Sequence, residues 1–468
     1  MSGLDELTRE ELMALVLELY TTEQAQRKRI AELQAIVQSQ AERIAELEEE
    51  VGRLRGGKSS AALCIKPSVS RKEKRARKKR KQSFSRCRLP ATHVVHHAVE
   101  CCPDCGRRLS GGSVKWVHQV VDIPLPAVEV TDHVFLERRC GVCGKRWTPD
   151  AGSALEGIVV GKKSVGINLM SVVAHLKTAC RVPVGQIRKL LGSLYGVRIS
   201  AGEIAEILHE VARIGEPRYG DLLNRVRGSP VLHGDETGWR EDGANGYLWS
   251  FSSAEVRYYT RRDTRGSSVV KEVLGDKFAG KLVTDFYGAY NSYDGIKQRC
   301  WIHLLRDLKQ LVEKNPDMPE VSAWVDSVAD VYHRAKESVR RECTERERSI
   351  IREDFERELV SICKPYVGVK IAVQRVLAER MMVRFIGELF TFVQYPEVPS
   401  ENNAAERAIR PAVVARKISG GTRSPKGSKT SSVLRSLFET WALHGHNTID
   451  ACRQMLTQAN RTAESAPV

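Results

Sequence analysis

Two short apolar runs, each ending against an aspartate, restrict this chain more than any other feature. The first is Val231-Leu232-His233-Gly234-Asp235-Glu236-Thr237-Gly238-Trp239, and the second is Lys281-Leu282-Val283-Thr284-Asp285-Phe286-Tyr287-Gly288. Apolar runs of this length, closed by turn residues, read as buried strands that present a carboxylate at their ends. One such aspartate is adequately explained as a turn or cap residue. Two of them, in a chain of net charge +16, point instead to a cation site.

The residues between the two runs continue the pattern. Gly246–Ser253 and Val256–Thr264 read as two more strands, Ser267–Leu274 as a short helix and Gly280–Asp285 as the next strand. Three sequential strands, a helix and a further strand form the opening of a ribonuclease-H-like sheet. Cys300-Trp301-Ile302-His303-Leu304-Leu305-Arg306-Asp307 then begins a helix, with Cys300 and Trp301 packing inward and His303 and Arg306 facing the cleft. Residues 307 to about 395 are charged and helical, broken at Pro316, Pro319 and Pro365, and read as an insertion. In Pro399-Ser400-Glu401-Asn402-Asn403-Ala404-Ala405-Glu406-Arg407-Ala408-Ile409-Arg410-Pro411, Ser400 is placed to cap a helix. Glu406, Arg410 and Lys417 then share one face of it. A metal-binding carboxylate beside phosphate-binding cations and an ordinary i,i+4 Glu–Arg pair explain that face equally well. Ser419–Thr422 and Ser424–Lys429 read as a flexible basic loop, followed by helices over Ser431–His444 and Thr448–Asn460.

The N-terminal third has a different composition. Val16, Glu23, Ile30, Val37, Ile44 and Val51 fall at heptad a, and Leu12, Leu19, Gln26, Leu33, Gln40, Leu47 and Leu54 at d, which favours a parallel two-stranded coiled coil. Gly56-Gly57 ends it. Arg71–Lys81 holds nine Lys or Arg and one Glu, a net +8 in one run, suited to phosphate but not to reading bases. Cys102-Pro103-Asp104-Cys105 and Cys140-Gly141-Val142-Cys143 are two C-x-x-C knuckles, each followed by glycine, and their four thiolates fit a closed structural Zn²⁺ site. Val114–Val117, Val128–Val130 and His133–Leu136 read as strands between them. Leu169–Thr178, Val184–Leu194 and Ala201–Ala212 read as helices, the last two joined by a Gly stop and a Ser cap in the manner of a helix-turn-helix. With no secretion signal and no apolar run long enough to span a bilayer, a soluble cytoplasmic protein with reduced cysteines is expected.

Taken in order, heptads, basic linker, CPDC and CGVC, DETGW, TDFYGAY, CWIHLLRDL and SENNAAERAIRP followed by Arg416-Lys417, the chain resembles the IS66 family of insertion-sequence transposases. The resemblance implies a DDE transposase whose ribonuclease-H-like catalytic domain is interrupted by a helical insertion. Matched motif by motif, it puts the catalytic carboxylates at Asp235, Asp285 and Glu406, with Glu401 competing for the third place and Glu236 an alternative for the first. It implies Mg²⁺ (or Mn²⁺) held by that triad, in pairs about 4 Å apart, and backbone phosphates held by Arg407, Arg410, Arg416 and Lys417, assisted by His303 and Arg306. Many DDE enzymes carry a cation seven residues after the Glu; here that position is Val413.

The implied partners are the insertion-sequence ends and target DNA, a second or further copy of the chain through the coiled coil, and accessory proteins of the same element, in the bacterial cytoplasm at the nucleoid. The expected class is multidomain α+β, as follows: coiled coil (1–57), basic linker (58–90), zinc-binding domain (91–155), helical segment (156–226), first catalytic part (227–310), helical insertion (311–395), second catalytic part (396–430) and C-terminal helices (431–468). A zinc-containing DNA-binding protein without catalysis, a regulator or an inactive relic, is the competing class, in which the acidic positions are incidental.

Overall fold

A computed structural model describes residues 88–121, 128–161 and 164–463. The heptad segment and the basic run lie outside the described residues. The chain divides into two units, Met1–Val121 and Asp122–Val468.

In the first unit the described residues hold the Cys102 knuckle and extended chain. The strand expected over Val114–Val117 does not form. Val114 and Trp116 are exposed, and an extended segment with no paired neighbour cannot satisfy a ladder of backbone groups. The same holds for Val128–Val130 and His133–Leu136 in the second unit, where Val130 and Val134 are exposed. There the paired strands are instead β1 (Arg138–Arg139) and β2 (Arg146–Trp147), an antiparallel ribbon around the second knuckle.

Three helices follow, α1 (Ile167–Thr178), α2 (Val184–Tyr195) and α3 (Ala201–Arg227). Gly196 ends α2 at φ +68°, and the Ser200 side chain starts α3 by accepting from the Glu203 N–H at 3.0 Å, as the sequence suggests. α3 runs 15 residues past the expected end at Ala212, straight through Pro217. Its buried face explains this, because Val211, Gly215, Tyr219, Leu222 and Val226 continue the helical period across the proline.

A five-stranded mixed sheet comes next, in the order β5-β4-β3-β6-β7. β3 (Val231–Gly238) is central, pairs antiparallel with β4 (Tyr247–Ser252), and β4 pairs antiparallel with β5 (Arg257–Arg262). α4 (Ser267–Leu274) crosses to β6 (Lys281–Thr284), which lies parallel to β3, and β7 (Lys297–Arg299) lies parallel to β6. β3 does not end at Asp235 as expected, because β4 continues to pair with it through Gly238. β7 has no counterpart in the sequence reading. Its residues are polar, and it is held by side chains, including the Gln298 amide donating to Leu389 O at 3.0 Å.

α5 (Trp301–Lys314), α6 (Pro319–Ser338), α7 (Glu345–Cys363) and shorter turns up to Gln394 surround a core of their own that includes Trp301, Trp324, Tyr332, Leu359 and Phe390. Pro319 does not break a helix but occupies the first turn of α6, where its missing N–H costs nothing. α8 (Asn403–Ser419), α9 (Pro425–Leu443) and α10 (Thr448–Ala463) complete the unit. Ser424–Lys429 is not a loop. Ser424 accepts from the Gly427 N–H at 3.1 Å and Pro425 opens α9, a strong helix start. One hydrophobic cluster runs from Met170 and Ile187 through Val211, Phe251 and Val270 to Leu437 and Met455, tying helices before and after the sheet to it. No helix among the described residues is long and apolar enough to cross a membrane.

Candidate active site

Side chains alternate across a strand, so Asp235 shares a face of β3 with His233. His233 pairs with Val283 in the parallel ladder, and Asp285 lies two residues beyond Val283, as Asp235 lies two beyond His233. The register thus carries both aspartates to one side of the sheet on neighbouring strands, Asp235 within β3 and Asp285 just past the end of β6. α8 crosses the same side. Ile409 and Ala412 pack with Leu248, Tyr259 and Trp239, and the Tyr259 hydroxyl donates to Ala408 O at 2.6 Å. This brings Glu406 over the sheet. The electrostatics record the convergence. Burial, followed by the negative charge of Glu236, Asp285 and Glu406, pushes the Asp235 carboxyl up to about 7, against the Glu236 N–H that donates to it at 2.8 Å.

Glu236 points to the opposite side. It accepts from the Tyr290 hydroxyl at 2.6 Å and from Arg265 Nε at 2.9 Å. Glu401 lies 3.7 Å from Lys336 on α6. Glu406 Oε1 is buried without a hydrogen-bond partner, and His303 Nε2 lies 3.8 Å from it. Among the described residues, no three His, Cys, Asp or Glu side chains stand close enough to hold a metal ion as they are.

The helix start differs from expectation. Asn402, not Ser400, precedes α8, and Ser400 Oγ lies 3.2 Å from the Tyr332 hydroxyl. The buried Asn402 amide donates to Gly234 O at 2.8 Å, its oxygen meets His233 Nδ1 at 3.0 Å, and its backbone N–H points at Cys300 Sγ at 3.2 Å. With the amide nitrogen committed to Gly234, the oxygen must accept, so His233 carries its proton on Nδ1. Burial, with Arg257 and Arg407 nearby, lowers the His233 pKa to about 4, so the ring is neutral. Asn402 therefore pins the first turn of α8 to β3 beside Asp235, a role that sequence reading missed. Asn402→Leu is expected to cost ~2–4 kcal/mol by orphaning Gly234 O and His233. Chemical denaturation would check this, and a loss below ~1 kcal/mol would contradict it.

Of the expected phosphate contacts, Arg407, Arg410, Lys417 and Arg306 are exposed and His303 is half-buried. Arg416 is engaged, donating to Thr237 Oγ1 at 2.9 Å and Gly238 O at 2.6 Å. Val413, where many DDE enzymes carry a cation, packs against the apolar cluster around Trp239.

A family model described as "Transposase IS66 family" matches residues 162–430, more than half of the 468. The chain belongs to the IS66 transposase family. An uncharacterised protein of Sinorhizobium fredii, y4jO, is 28% identical over 193 residues, 41% of this chain and 56% of that protein. A second from the same organism, y4qI, is 23% identical over 275 residues, 51% of this chain and 49% of that protein. The chain thus spans about half the length of each of these relatives.

Within this IS66 chain, one further residue supports the candidate site. Arg299 on β7 is wholly buried and donates to Asp285 O at 2.8 Å, Thr284 Oγ1 at 3.2 Å, Asn291 Oδ1 at 2.6 Å and Glu388 Oε2 at 2.6 Å. It fixes the backbone that presents Asp285, whose side chain accepts from the Tyr287 N–H at 2.9 Å. The knuckles outside the matched span share one local geometry. Cys102 N–H donates to Arg107 O, and Cys140 N–H to Lys145 O, both at 2.8 Å. Gly106 and Gly144 take φ +73° and +70°, which glycine adopts without strain. In each knuckle, backbone N–H groups aimed at the first sulfur lower its pKa: those of Asp104 and Cys105 at Cys102, and of Cys143 and Val142 at Cys140.

Proposed function

We propose that the chain is a DDE transposase that binds the ends of an insertion sequence and catalyses metal-dependent DNA strand cleavage and strand transfer, with Asp235, Asp285 and Glu406 as its acidic triad. The observation that carries this reading is the Asp235 carboxyl, pushed up to about 7 by burial and by surrounding carboxylates that include Asp285 and Glu406. Such pressure is what a cation relieves. The strand order β5-β4-β3-β6-β7, three antiparallel strands followed by two parallel ones, supports a ribonuclease-H-like catalytic domain.

The donor set fits Mg²⁺ or Mn²⁺, since it offers carboxylate oxygens to a hard ion. Glu406 Oε1 has no hydrogen bond to give up when it moves towards an ion. Bound metal would activate the attacking oxygen and stabilise the leaving one. Around it, Asn402 and Arg299 hold the segments that carry Glu406 and Asp285. Neutral His233 adds no positive charge beneath the triad. Arg407, Arg410, Lys417 and Arg306 are exposed to take backbone phosphates, and Arg416 orders the end of β3. Glu236, tied to Arg265 and Tyr290, and Glu401, beside Lys336, have partners elsewhere, which favours Glu406 as the third ligand.

The thiolate-favouring knuckles support Zn²⁺ bound by Cys102, Cys105, Cys140 and Cys143 as a structural ion. Residues 1–57 would pair two or more protomers so that two DNA ends are held together, with accessory proteins of the element as further partners, in the bacterial cytoplasm.

The test is cleavage and strand transfer on labelled ends of the source element with Mg²⁺ or Mn²⁺. Asp235→Ala, Asp285→Ala and Glu406→Ala should each lose both steps while retaining end binding, and Glu401→Ala should keep them. Full strand transfer by Asp235→Ala would sink the reading. Loss in Glu401→Ala but not in Glu406→Ala would move the third ligand.

A further inference from the structure

Between α1, α3, the end of α8 and the start of α9 lies a cavity of about 270 Å³, at the small end of ligand pockets, which run to roughly 300–1,000 Å³. Its walls include Lys177, Arg181, His209, Arg423 and Arg435, and no Asp or Glu lines it. Arg435 is the unusual member. It is 5% exposed, and its Nε and Nη1 are buried with no hydrogen-bond partner. Its guanidinium carbon sits 5.7 Å from the Trp239 ring and 5.8 Å from that of Tyr259, contacts that favour a cation but satisfy none of its N–H groups. Glu439, one turn along α9, is close enough to be felt electrostatically but forms no ion pair with it, and burial raises the Glu439 pKa, which weakens it as a counter-ion. Lys177 is also partly desolvated, its pKa lowered by burial and then by Arg435.

Buried guanidinium N–H groups without acceptors are costly unless an anion completes them. The start of α9, with Ser424 and Gly427 in the wall, adds the positive end of a 19-residue helix. The remaining walls combine apolar side chains, Val184, Leu208, Trp239 and Leu434 among them, with hydroxyls such as Thr178 and Thr430. Cationic groups beside apolar walls and hydroxyls suit a phosphate joined to a polar organic ring.

We propose that this cavity is a second binding site, distinct from the carboxylate cluster, that takes one phosphate-bearing nucleotide unit with its phosphate on Arg435 and Lys177. The unit comes either from a DNA strand end or from a free mononucleotide. The glycine-rich Ser419-Gly420-Gly421-Thr422 segment, which the carboxylate chemistry leaves without a role, forms part of its wall.

The test is thermal melting and calorimetry of the full chain at constant ionic strength without divalent metal. Probes are inorganic phosphate, dAMP, a 5′-phosphorylated trinucleotide and the same trinucleotide unphosphorylated, with chloride as the control. dAMP or the phosphorylated trinucleotide should raise Tm and bind with 1:1 stoichiometry, and whichever binds at least tenfold tighter identifies the source. Arg423→Ala and Lys177→Met should weaken binding at least tenfold. Arg435→Leu should abolish it while raising the Tm of the unliganded chain, a sign that distinguishes a lost site from a damaged fold. Absence of any phosphate-specific shift would overturn the proposal, as would unchanged binding by Lys177→Met and Arg435→Leu. Neither readout involves strand transfer, so the proposal can fail while the transposase reading stands, and the reverse.

Discussion

Asp235→Asn is expected to yield a metal-free protein that is more stable than wild type at pH 8 and inactive in strand cleavage. The folded pKa of about 7 lies above the 3.8 of an unperturbed aspartate. Between those values the folded chain keeps a proton that the unfolded chain releases, so this group's contribution to stability falls as pH rises. The full difference is on the order of 4 kcal/mol, reached above pH 7 and absent below pH 4. Asparagine keeps the acceptor for the Glu236 N–H and removes the charge. Melts in EDTA should therefore show the variant several degrees above wild type at pH 8, given about 2–4 °C per kcal/mol for a domain of this size. The gap should close near pH 4.

Mg²⁺ reverses the comparison. A cation competes with the proton for the same oxygens, so it should stabilise wild type more at pH 8 than at pH 5.5 and do little for the variant. Cleavage by the variant should drop on the order of 10³-fold, because a metal ligand supports several kcal/mol of transition-state stabilisation. A variant less stable than wild type at pH 8 would mean that Asp235 is not under electrostatic pressure. In that case its burial is ordinary structure.

The parts of this chain that could be read from sequence are those whose signal is local. Leu282-Val283-Thr284 is a strand by composition and became β6, and Ser267–Leu274 became a helix with the expected bounds. Asp235 and Asp285 stood out because a carboxylate at the end of an apolar run is locally odd. What escaped depends on partners far along the chain. Lys297-Gln298-Arg299 carries no strand signal, since Gln298 and Arg299 are made buriable by Leu389 and Glu388, about ninety positions away. Asn402 looked like one more polar residue before a helix, because His233 and Gly234, which fix it, come from β3. The Ser424-Pro425 start of α9 is a different case. Serine before proline is a local helix-start signal, and the adjacent glycines and lysines masked it. Val114–Val117 failed in the opposite sense, with strand composition but no neighbour to pair with. Likewise, the register that brings Asp235 beside Asp285 follows from β3–β6 pairing, a long-range fact that composition does not encode.

Arg299→Met should be among the most damaging single changes distant from any DNA contact. The side chain is 0% exposed and makes four N–H hydrogen bonds to four acceptors, with Phe385 beneath the guanidinium at 4.7 Å. Methionine fills similar volume but leaves Asn291 Oδ1 without this donor and Asp285 O with only the Thr284 hydroxyl, at 3.0 Å. Glu388 keeps only Lys297, at 3.3 Å. Breaking a buried ion pair from one side costs ~3–5 kcal/mol, and equilibrium denaturation should read a loss in that range. Adding Glu388→Leu should recover part of it, since the stranded carboxylate is then gone, and the double-mutant cycle measures the coupling. The guanidinium also holds the peptide that presents Asp285, so cleavage by Arg299→Met should fall further than the folded fraction does. If activity instead tracks the folded fraction, Arg299 supports the sheet alone and Asp285 is positioned by its own turn through Tyr287.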